Sequence, residues 1–292
     1  MRRSILGVVF LVLFWTWVLT AVLLLRNTLL PRFPVTIASQ QLGLSAQTVT
    51  LKASDGMRLE GCKIPGDPQR PWIIACHGLG SNRMDLLEVT GGLHQAGFNL
   101  LLFDFRAHGG SDGRVTSFGW REQRDLEGAL AWLSSQPDIP TRPYGVYGIS
   151  MGGSVALMVA ARDERIGAVA VDSPYTSLED SLGRHQRLLY PWLPTQPILS
   201  FVLATYRLRF GVWPSDVSPL RSVERLAPRP LLIIQGAEDV RMTLDGARQL
   251  YAAAAGPKQF WAVKGAGHLE VFSLDPDSYR GTLVSFFESS LP

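Results

Sequence analysis

The longest uninterrupted apolar run of the chain lies at its N-terminus. Residues 4–25 (SILGVVFLVLFWTWVLTAVLLL) carry no charge and are bounded by Arg2 and Arg3 on one side and by Arg26 on the other. As a helix this run would extend about 33 Å at ~1.5 Å per residue, enough to cross a hydrocarbon layer of about 30 Å. The pattern predicts an N-terminal membrane anchor over residues 1–26.

A cleaved signal peptide and a buried core helix are the alternatives for this run. A signal peptide has a shorter apolar core of about 7 to 15 residues and an A-x-A-like cleavage site, whereas Ala21 has Leu19 two positions before it. A core helix would not need basic flanks. The basic residues before the run compete with Arg26 and Arg32 after it, and the small balance favours the N-terminus inside and the domain that follows the run on the extracytoplasmic side.

Beyond residue 48, short apolar runs alternate with helical patterns. Two strands around Asp55 and Gly56 come first, and the later runs are apolar on both faces, as in strands that are covered on both sides. The intervening segments carry apolar residues every three to four positions, which is typical of one-faced helices. The predicted strands are VTLKAS, RLEGCKI, WIIACHG, NLLLFDF, YGVYGIS, IGAVAVDS, PLLIIQG and FWAVKGAG.

This alternation predicts an α/β fold with a mostly parallel, doubly wound sheet over residues 48–292. Residues 27–47 have no clear period and are predicted as a stalk or linker. One connection, about residues 176–228, is too long for a simple loop, and its aromatic residues are interleaved with prolines. It is predicted to be an inserted helical cap, with aromatic residues Tyr190, Trp192, Phe201, Tyr206, Phe210 and Trp213.

Charge and cysteine content narrow the function classes. The pI is 9.0, but setting aside the four arginines within residues 1–32 leaves 24 basic against 25 acidic residues. The domain is therefore near neutral, and no nucleic-acid partner is expected. Cys62 and Cys76 lie in separate predicted strands and outside any metal-binding pattern. They are interpreted as packing residues, as thiols or as a single bridge, and neither a metal nor a cofactor is expected.

One serine stands between glycines where a predicted strand ends, in GISMGG, residues 148–153. The pattern G-x-S-x-G is weak alone, but here a strand precedes it and the helical pattern MGGSVALMVAARD follows, as a nucleophile elbow requires. Gly148 and Gly152 leave room for the sharp turn, and the helix N-terminus favours negative charge near the serine. Ser150 is therefore the predicted nucleophile.

A serine nucleophile needs a base, and the base needs an acid that fixes its tautomer. His268, in KGAGHLE, is the histidine that follows the last strand, at the same sheet edge as the elbow. Asp239, in QGAEDVRM, follows the preceding strand and is the preferred acid. Its neighbour Glu238 and Asp172, which ends another strand, are the alternatives.

An oxyanion hole requires two backbone N–H groups aimed at the charge that forms on the attacked carbonyl. Met151, directly after the nucleophile, is one predicted donor. The other is Leu79 in CHGLGSN, where Gly78 and Gly80 let the backbone approach the substrate. His77 is interpreted as a hydrogen-bonded structural residue of this loop.

Five segments in register, HGLGSN, DFRAHGGSDG, GISMGG, the G-x-x-D of GAED, and GAGH, resemble the signature segments of the serine α/β-hydrolase superfamily. They are most similar to its serine-aminopeptidase-like, abhydrolase-domain branch, many of whose members have an N-terminal membrane anchor. The resemblance covers nearly everything from about residue 48 to the C-terminus. It implies an eight-stranded sheet with a cap over the site, and Ser150, Asp239 and His268 as the catalytic triad, in the chain order of α/β-hydrolases.

The resemblance also implies roles outside the triad. Asp104, Arg106, His108 and Gly109 of DFRAHG would be scaffold around a strand end. Gln235 departs from the family, which often has histidine before the glycine of the acid loop, but this position is not a triad member.

Together these patterns predict a membrane-anchored serine hydrolase that cleaves an ester or thioester through an acyl-serine intermediate. The aromatic cap and the anchor favour an acyl or lipid-like substrate over small esters and peptides. The alternatives are a serine peptidase of the aminopeptidase-like type and a non-catalytic scaffold with the same fold. The oligomeric state has no signal in the sequence.

Overall fold

A central sheet of eight strands organises the molecule. The computed structural model describes residues 2–28, 45–140 and 143–292, so the predicted linker, 27–47, lies mostly outside the described residues. The strands are β1 (Gln47–Lys52), β2 (Arg58–Ile64), β3 (Trp72–Cys76), β4 (Asn99–Phe103), β5 (Tyr144–Ile149), β6 (Ile166–Asp172), β7 (Leu231–Gly236) and β8 (Lys258–Val263).

Helices fill the connections between these strands and precede the first of them. They are α1 (Arg2–Thr28), α2 (Leu87–Gln95), α3 (Glu122–Ser135), α4 (Met151–Ala160), α5 (Leu178–Leu189), α6 (Thr195–Phe210), α7 (Leu244–Ala253), α8 (Val271–Leu274) and α9 (Pro276–Ser290). Each of the eight predicted strand runs coincides with one of these strands to within a few residues, and the helical pattern MGGSVALMVAARD coincides with α4.

The strand order is β1-β2-β4-β3-β5-β6-β7-β8. β1 pairs antiparallel with β2, and β2 pairs antiparallel with β4. All other pairs, which join β3 to β8, are parallel. The predicted mostly parallel sheet is thus confirmed. Parallel pairing gathers the carboxyl ends of β3 to β8 at one edge, and ligands of open α/β sheets bind at that edge.

Two apolar cores, one on each face of the sheet, hold the fold together. Because strand side chains alternate, Val146 packs in one core with α3, α4 and α7, whereas Tyr147 packs in the other with α2 and α9. Cys62 and Cys76 are both buried and are not joined by a disulfide. They pack in different cores, in agreement with their interpretation as packing residues.

The connection from β6 to β7 carries the helices α5 and α6. Tyr206 and Phe210 of α6 are buried in a third apolar cluster with Phe118 and Tyr175, and this cluster fixes the end of α6 to the body of the domain. At its other end α6 packs against α5, and it also packs against the N-terminal helix α1.

Candidate active site

Ser150 occupies the turn between β5 and α4 and has a backbone φ of 49°. A non-glycine residue at this φ is strained by about 1–3 kcal/mol, and the surrounding backbone must hold it there. The Ser150 N–H donates to the carbonyl oxygen of Asp172 at 2.8 Å, which ties the turn to β6. The turn aims the serine side chain out of the carboxyl edge of the sheet.

Glycine at position 152 is required by a close backbone approach. A Cβ atom there would lie 2.2 Å from the carbonyl oxygen of Cys76 and 2.5 Å from that of His77. Both neighbours are main-chain atoms, so neither can rotate away. The two glycine-rich loops of the sequence are thus packed directly against each other.

We expect Gly152→Ala to lower the free energy of unfolding by about 2–4 kcal/mol, because the turn must open to admit the methyl group. The matched control is Gly281→Ala in α9, where nothing lies within 4 Å of an added Cβ. Removing a glycine from the interior of a helix stabilises it by about 0.5–1 kcal/mol. Chemical denaturation of both variants checks the pair, and equal stabilities would contradict the close approach.

Ser150, His268 and Asp239 form a continuous chain of hydrogen bonds. The distance from His268 Nε2 to Ser150 Oγ is 3.2 Å, and the distance from His268 Nδ1 to Asp239 Oδ2 is 2.7 Å. His268 follows β8, and Asp239 follows β7, so the carboxyl ends of three strands supply the three side chains. This geometry can move a proton from the serine hydroxyl to the imidazole while the carboxylate stabilises the imidazolium.

Asp239 is held by more than the histidine. Its Oδ1 accepts from the backbone N–H groups of Arg241 at 2.8 Å and Met242 at 2.9 Å. Burial alone would raise the pKa of Asp239, but the hydrogen bond and charge of His268, together with these two N–H donors, outweigh it and hold the pKa below its usual value. The carboxylate is therefore ionised and fixed in orientation.

Gln235 supports this acid loop, a role that the sequence did not reveal. Its buried amide nitrogen donates to the carbonyl oxygen of Met242 at 2.6 Å and to Asp239 Oδ2 at 3.3 Å. The departure from the family pattern therefore leaves a donor beside the carboxylate. A polar residue in the penultimate position of a fully buried strand, just before the acid loop, is the signal that could have identified it.

The two alternative acids have other partners. Glu238 is an acceptor for the backbone N–H of Gly265 at 3.0 Å. Asp172 is buried and accepts from the hydroxyl groups of Tyr279 at 2.7 Å and Ser173 at 2.8 Å. Burial raises the pKa of Asp172 to about 6, against the opposing effect of these hydrogen bonds. His268 is bonded to Asp239 rather than to either alternative.

The loop that carries Leu79 lies directly beside the serine. A Cβ atom at Gly78 would be 3.5 Å from Ser150 Cβ, an ordinary van der Waals distance. His77 holds this loop, because its Nδ1 donates to the carbonyl oxygen of Gly78 at 2.7 Å and its Nε2 accepts from the N–H of Phe105 at 3.0 Å. Burial lowers the pKa of His77 to about 3, so the ring is neutral, as these roles require.

Residues of the segment DFRAHG hold the loop that carries Leu79 and the chain around it by hydrogen bonds and ion pairs. His108 Nε2 accepts from the N–H of Gly80 at 3.2 Å. Asp104 is buried against Arg83 and also accepts from the N–H of Gly110 at 2.8 Å. Arg106 is paired with the buried carboxylate of Asp125. These contacts agree with a scaffold role for the segment.

A cavity of about 550 Å³ opens above Ser150. Leu79, Met151 and His268 line it together with the serine, and one face of α5 forms another part of its wall. The wall residues of α5 follow helical spacing: Leu178, Ser181, Leu182, His185 and Leu189. None of the cap aromatics that stood out in the sequence lines this cavity. The cap contributes leucines instead, which a scan for aromatic residues overlooks.

A metal site has no counterpart in the described residues. Across residues 2–28, 45–140 and 143–292, no three His, Cys, Asp or Glu side chains are grouped so that they could hold a metal ion.

Comparisons with known proteins give three kinds of likeness. Residues 34–197 match the family described as X-Pro dipeptidyl-peptidase (S15 family). An uncharacterized protein of Mycobacterium tuberculosis is 33% identical over 246 residues, which cover 83% of this chain and 79% of that relative. An esterase of Pyrococcus furiosus, Pf2001, superimposes with a TM-score of 0.75 at 26% identity, covering 90% of this chain and 98% of the esterase. The α/β hydrolase GrgF of a Penicillium species has a TM-score of 0.69 at 21% identity, covering 85% and 99% of the two chains.

Proposed function

Because this chain belongs to the serine α/β-hydrolase superfamily, within which it matches the S15 family, we propose that it cleaves an ester or thioester through an acyl-Ser150 intermediate. That the protein is a hydrolase of the α/β type follows from its relatives. The observation that carries the finer proposal is the hydrogen-bonded chain from Ser150 through His268 to Asp239 at the base of an apolar cavity.

In the acylation half-reaction, Ser150 Oγ attacks the carbonyl carbon while His268 Nε2 takes the hydroxyl proton. Asp239 holds the imidazole in the tautomer that leaves Nε2 free to accept, and it stabilises the imidazolium. The N–H groups of Leu79 and Met151 are the proposed donors to the oxyanion. The tetrahedral adduct then collapses, and the departing alcohol or thiol takes the proton from His268.

Deacylation repeats these steps with water. His268 takes a proton from the water, whose oxygen attacks the acyl carbon, and the Ser150 oxygen leaves with the proton that His268 returns. The carboxylic acid is then released. Within the chain, Ser150 carries the acyl group and His268 carries the proton, while Asp239 and the backbone donors stabilise the charges that form.

The chemistry of the cavity favours an ester over an N-terminal peptide. An aminopeptidase-like enzyme must hold the substrate's ammonium group, for which a buried carboxylate is the natural partner. Among the described cavity residues, the acidic one is Asp85, and its carboxylate already accepts from Ser81 Oγ at 2.7 Å and the N–H of Asn82 at 3.1 Å. The walls are otherwise mainly leucine, methionine and aromatic, which suits an acyl chain.

We also propose that α1 anchors the enzyme in a membrane. Its segment Ile5–Leu23 is long and apolar enough to cross a bilayer, and Arg26 follows it. A tethered esterase with an apolar cavity would act on a substrate that is concentrated at the membrane. The similarity to a protein described as an esterase supports the same reaction class.

A fluorophosphonate probe tests the proposed chemistry. We expect the full-length protein to form a covalent adduct, and mass spectrometry of the digest to locate it on the peptide that contains Ser150. We also expect soluble esters of graded chain length to be hydrolysed with a preference for medium or long acyl chains. Absence of an adduct would refute the acyl-enzyme mechanism, and a preference for acetyl esters would refute the acyl-chain assignment of the cavity.

A further inference from the structure

The contact between α1 and the cap has a consequence for how the enzyme sits in a membrane. The side chains of residues 5–15 of α1 are exposed, whereas the buried and half-buried ones fall within Thr16–Leu23, with Thr20 the most buried. α1 packs against α6 of the cap. The covered part of α1 therefore lies inside the segment, Ile5–Leu23, that would cross the bilayer.

This overlap places α6 at membrane depth if α1 spans the bilayer. The covered segment is about 11 Å long at ~1.5 Å per residue, so α6 must lie beside the hydrocarbon layer for about that length. Amphipathic helices at membrane surfaces bury their apolar faces by a similar amount, about 5–10 Å.

The sequence of α6 permits such a position. Residues 197–204 (PILSFVLA) carry no charge, and the first charged side chains, Arg207 and Arg209, come one turn later. Phe201, Val202 and Leu203 are only half-buried in the protein, although they are large and apolar. Contact with acyl chains would complete their burial, and the arginines would remain at the level of the lipid headgroups.

The turn between α5 and α6 continues this surface. We call residues 187–194 (RLLYPWLP) the cap tip. Trp192 is 75% exposed and Leu189 is 60% exposed, and Leu188 is exposed as well. Arg187 beside them is also exposed and can pair with anionic headgroups. A tryptophan, leucines and an arginine at one surface point are typical of a segment at the membrane–water interface.

Leu189 connects the cap tip to the active site, because it belongs both to this surface and to the wall of the cavity. We propose that the first half of α6 and the cap tip are embedded beside α1 in the part of the lipid bilayer that faces the domain, so that the cavity opens toward the lipid. The substrate class that fits is a long-chain acyl ester or thioester resident in the membrane. The inference rests on the membrane anchor proposed above for α1.

A fluorescent probe at the cap tip measures the docking directly. Both native cysteines are buried, so a thiol-directed NBD probe can be attached selectively to Trp192→Cys in the full-length protein. The matched control is Glu164→Cys, an exposed site in the turn before β6, at the opposite edge of the sheet. In vesicles of phosphatidylcholine and phosphatidylglycerol, we expect a blue shift and quenching by brominated lipids at position 192, and neither at position 164.

Two results of this measurement would overturn the docking. A probe at position 192 that stays in water, unquenched by brominated lipid, would show that the cap stands clear of the bilayer. A blue shift that appears without lipid and rises with protein concentration would assign the face to a second copy of the chain.

Turnover separates the docking from the proposed hydrolysis. Trp192→Glu should lower hydrolysis of a long-chain ester in vesicles by about tenfold or more, because a charge replaces an apolar group at the interface. Hydrolysis of a short soluble ester should be unchanged, since Trp192 does not line the cavity. The control Leu274→Glu, at an exposed leucine outside the cap, should change neither.

The probe and turnover experiments together distinguish a failure of the docking proposal from a failure of the hydrolase proposal. If the probe is buried in lipid but wild-type protein hydrolyses neither ester, the hydrolase proposal fails and the docking stands. If both esters are hydrolysed equally by wild type and Trp192→Glu while the probe stays in water, the docking fails and the hydrolase proposal stands.

Discussion

Replacing Ser150 by alanine should lower kcat for a soluble ester by roughly 10⁶-fold and abolish fluorophosphonate labelling. Its Oγ is the hydroxyl group that the hydrogen-bonded chain of His268 and Asp239 reaches. Without Oγ, the imidazole has no hydroxyl to deprotonate at 3.2 Å, and the acyl-enzyme cannot form. A residual rate of about 10³–10⁴ above the uncatalysed reaction would remain from substrate binding and the backbone donors.

The fold should survive Ser150→Ala, because alanine leaves the backbone strain at this position unchanged. A second substitution, Ser150→Gly, tests that strain. Alanine at position 150 keeps the strained φ of 49°, whereas glycine adopts such angles without strain. We therefore expect Ser150→Gly to be more stable than Ser150→Ala by about 1 kcal/mol, with both inactive. Circular dichroism and thermal unfolding provide the folding control. If well-folded Ser150→Ala hydrolysed the ester at a rate within a hundredfold of wild type, Ser150 would not be the nucleophile.

The regular elements and the placement of the site could be predicted from the sequence for a definite physical reason. Buried parallel strands need continuous apolar runs, such as that before Ser150, and a strand-to-helix turn this tight needs glycine at position 152. Parallel strands bring their carboxyl ends to one edge, so residues far apart in the chain, such as Ser150 and His268, become neighbours. Local pattern and topology therefore determine which loops meet.

Features that depend on packing between distant segments could not be predicted in this way. The wall that α5 presents to the cavity depends on how the cap docks through Tyr206 and Phe210. The support of Asp239 by Gln235 depends on the path of the loop after β7. The contact of α1 with α6 joins two apolar segments, and the sequence of neither one indicates that it packs against the other.

The choice between Asp239 and Asp172 as the acid has the second largest expected effect. Asp239→Asn should lower kcat by about 10⁴-fold, because the amide would enforce the wrong histidine tautomer. Asp239 Oδ1 accepts from the backbone N–H groups of Arg241 and Met242, so the asparagine oxygen must occupy that side. Its NH₂ group would then face His268 Nδ1, which must become the acceptor. The proton moves to Nε2, and that nitrogen can no longer accept from Ser150.

Asp172→Asn is the matched control, since it removes a carboxylate of the same size at the end of the adjacent strand. It should change kcat for the same ester by less than about tenfold, because Tyr279 and Ser173 rather than His268 are the donors to Asp172. Asp172→Asn should instead change how the free energy of unfolding depends on pH. The pKa of Asp172 is raised to about 6 on folding, so the stability that its protonated form contributes is present at acidic pH and is lost as pH rises through about 6. Asp172→Asn should weaken that decline in thermal unfolding measured from pH 4 to pH 8. The opposite pattern, with catalysis lost in Asp172→Asn and kept in Asp239→Asn, would transfer the role of the acid to β6.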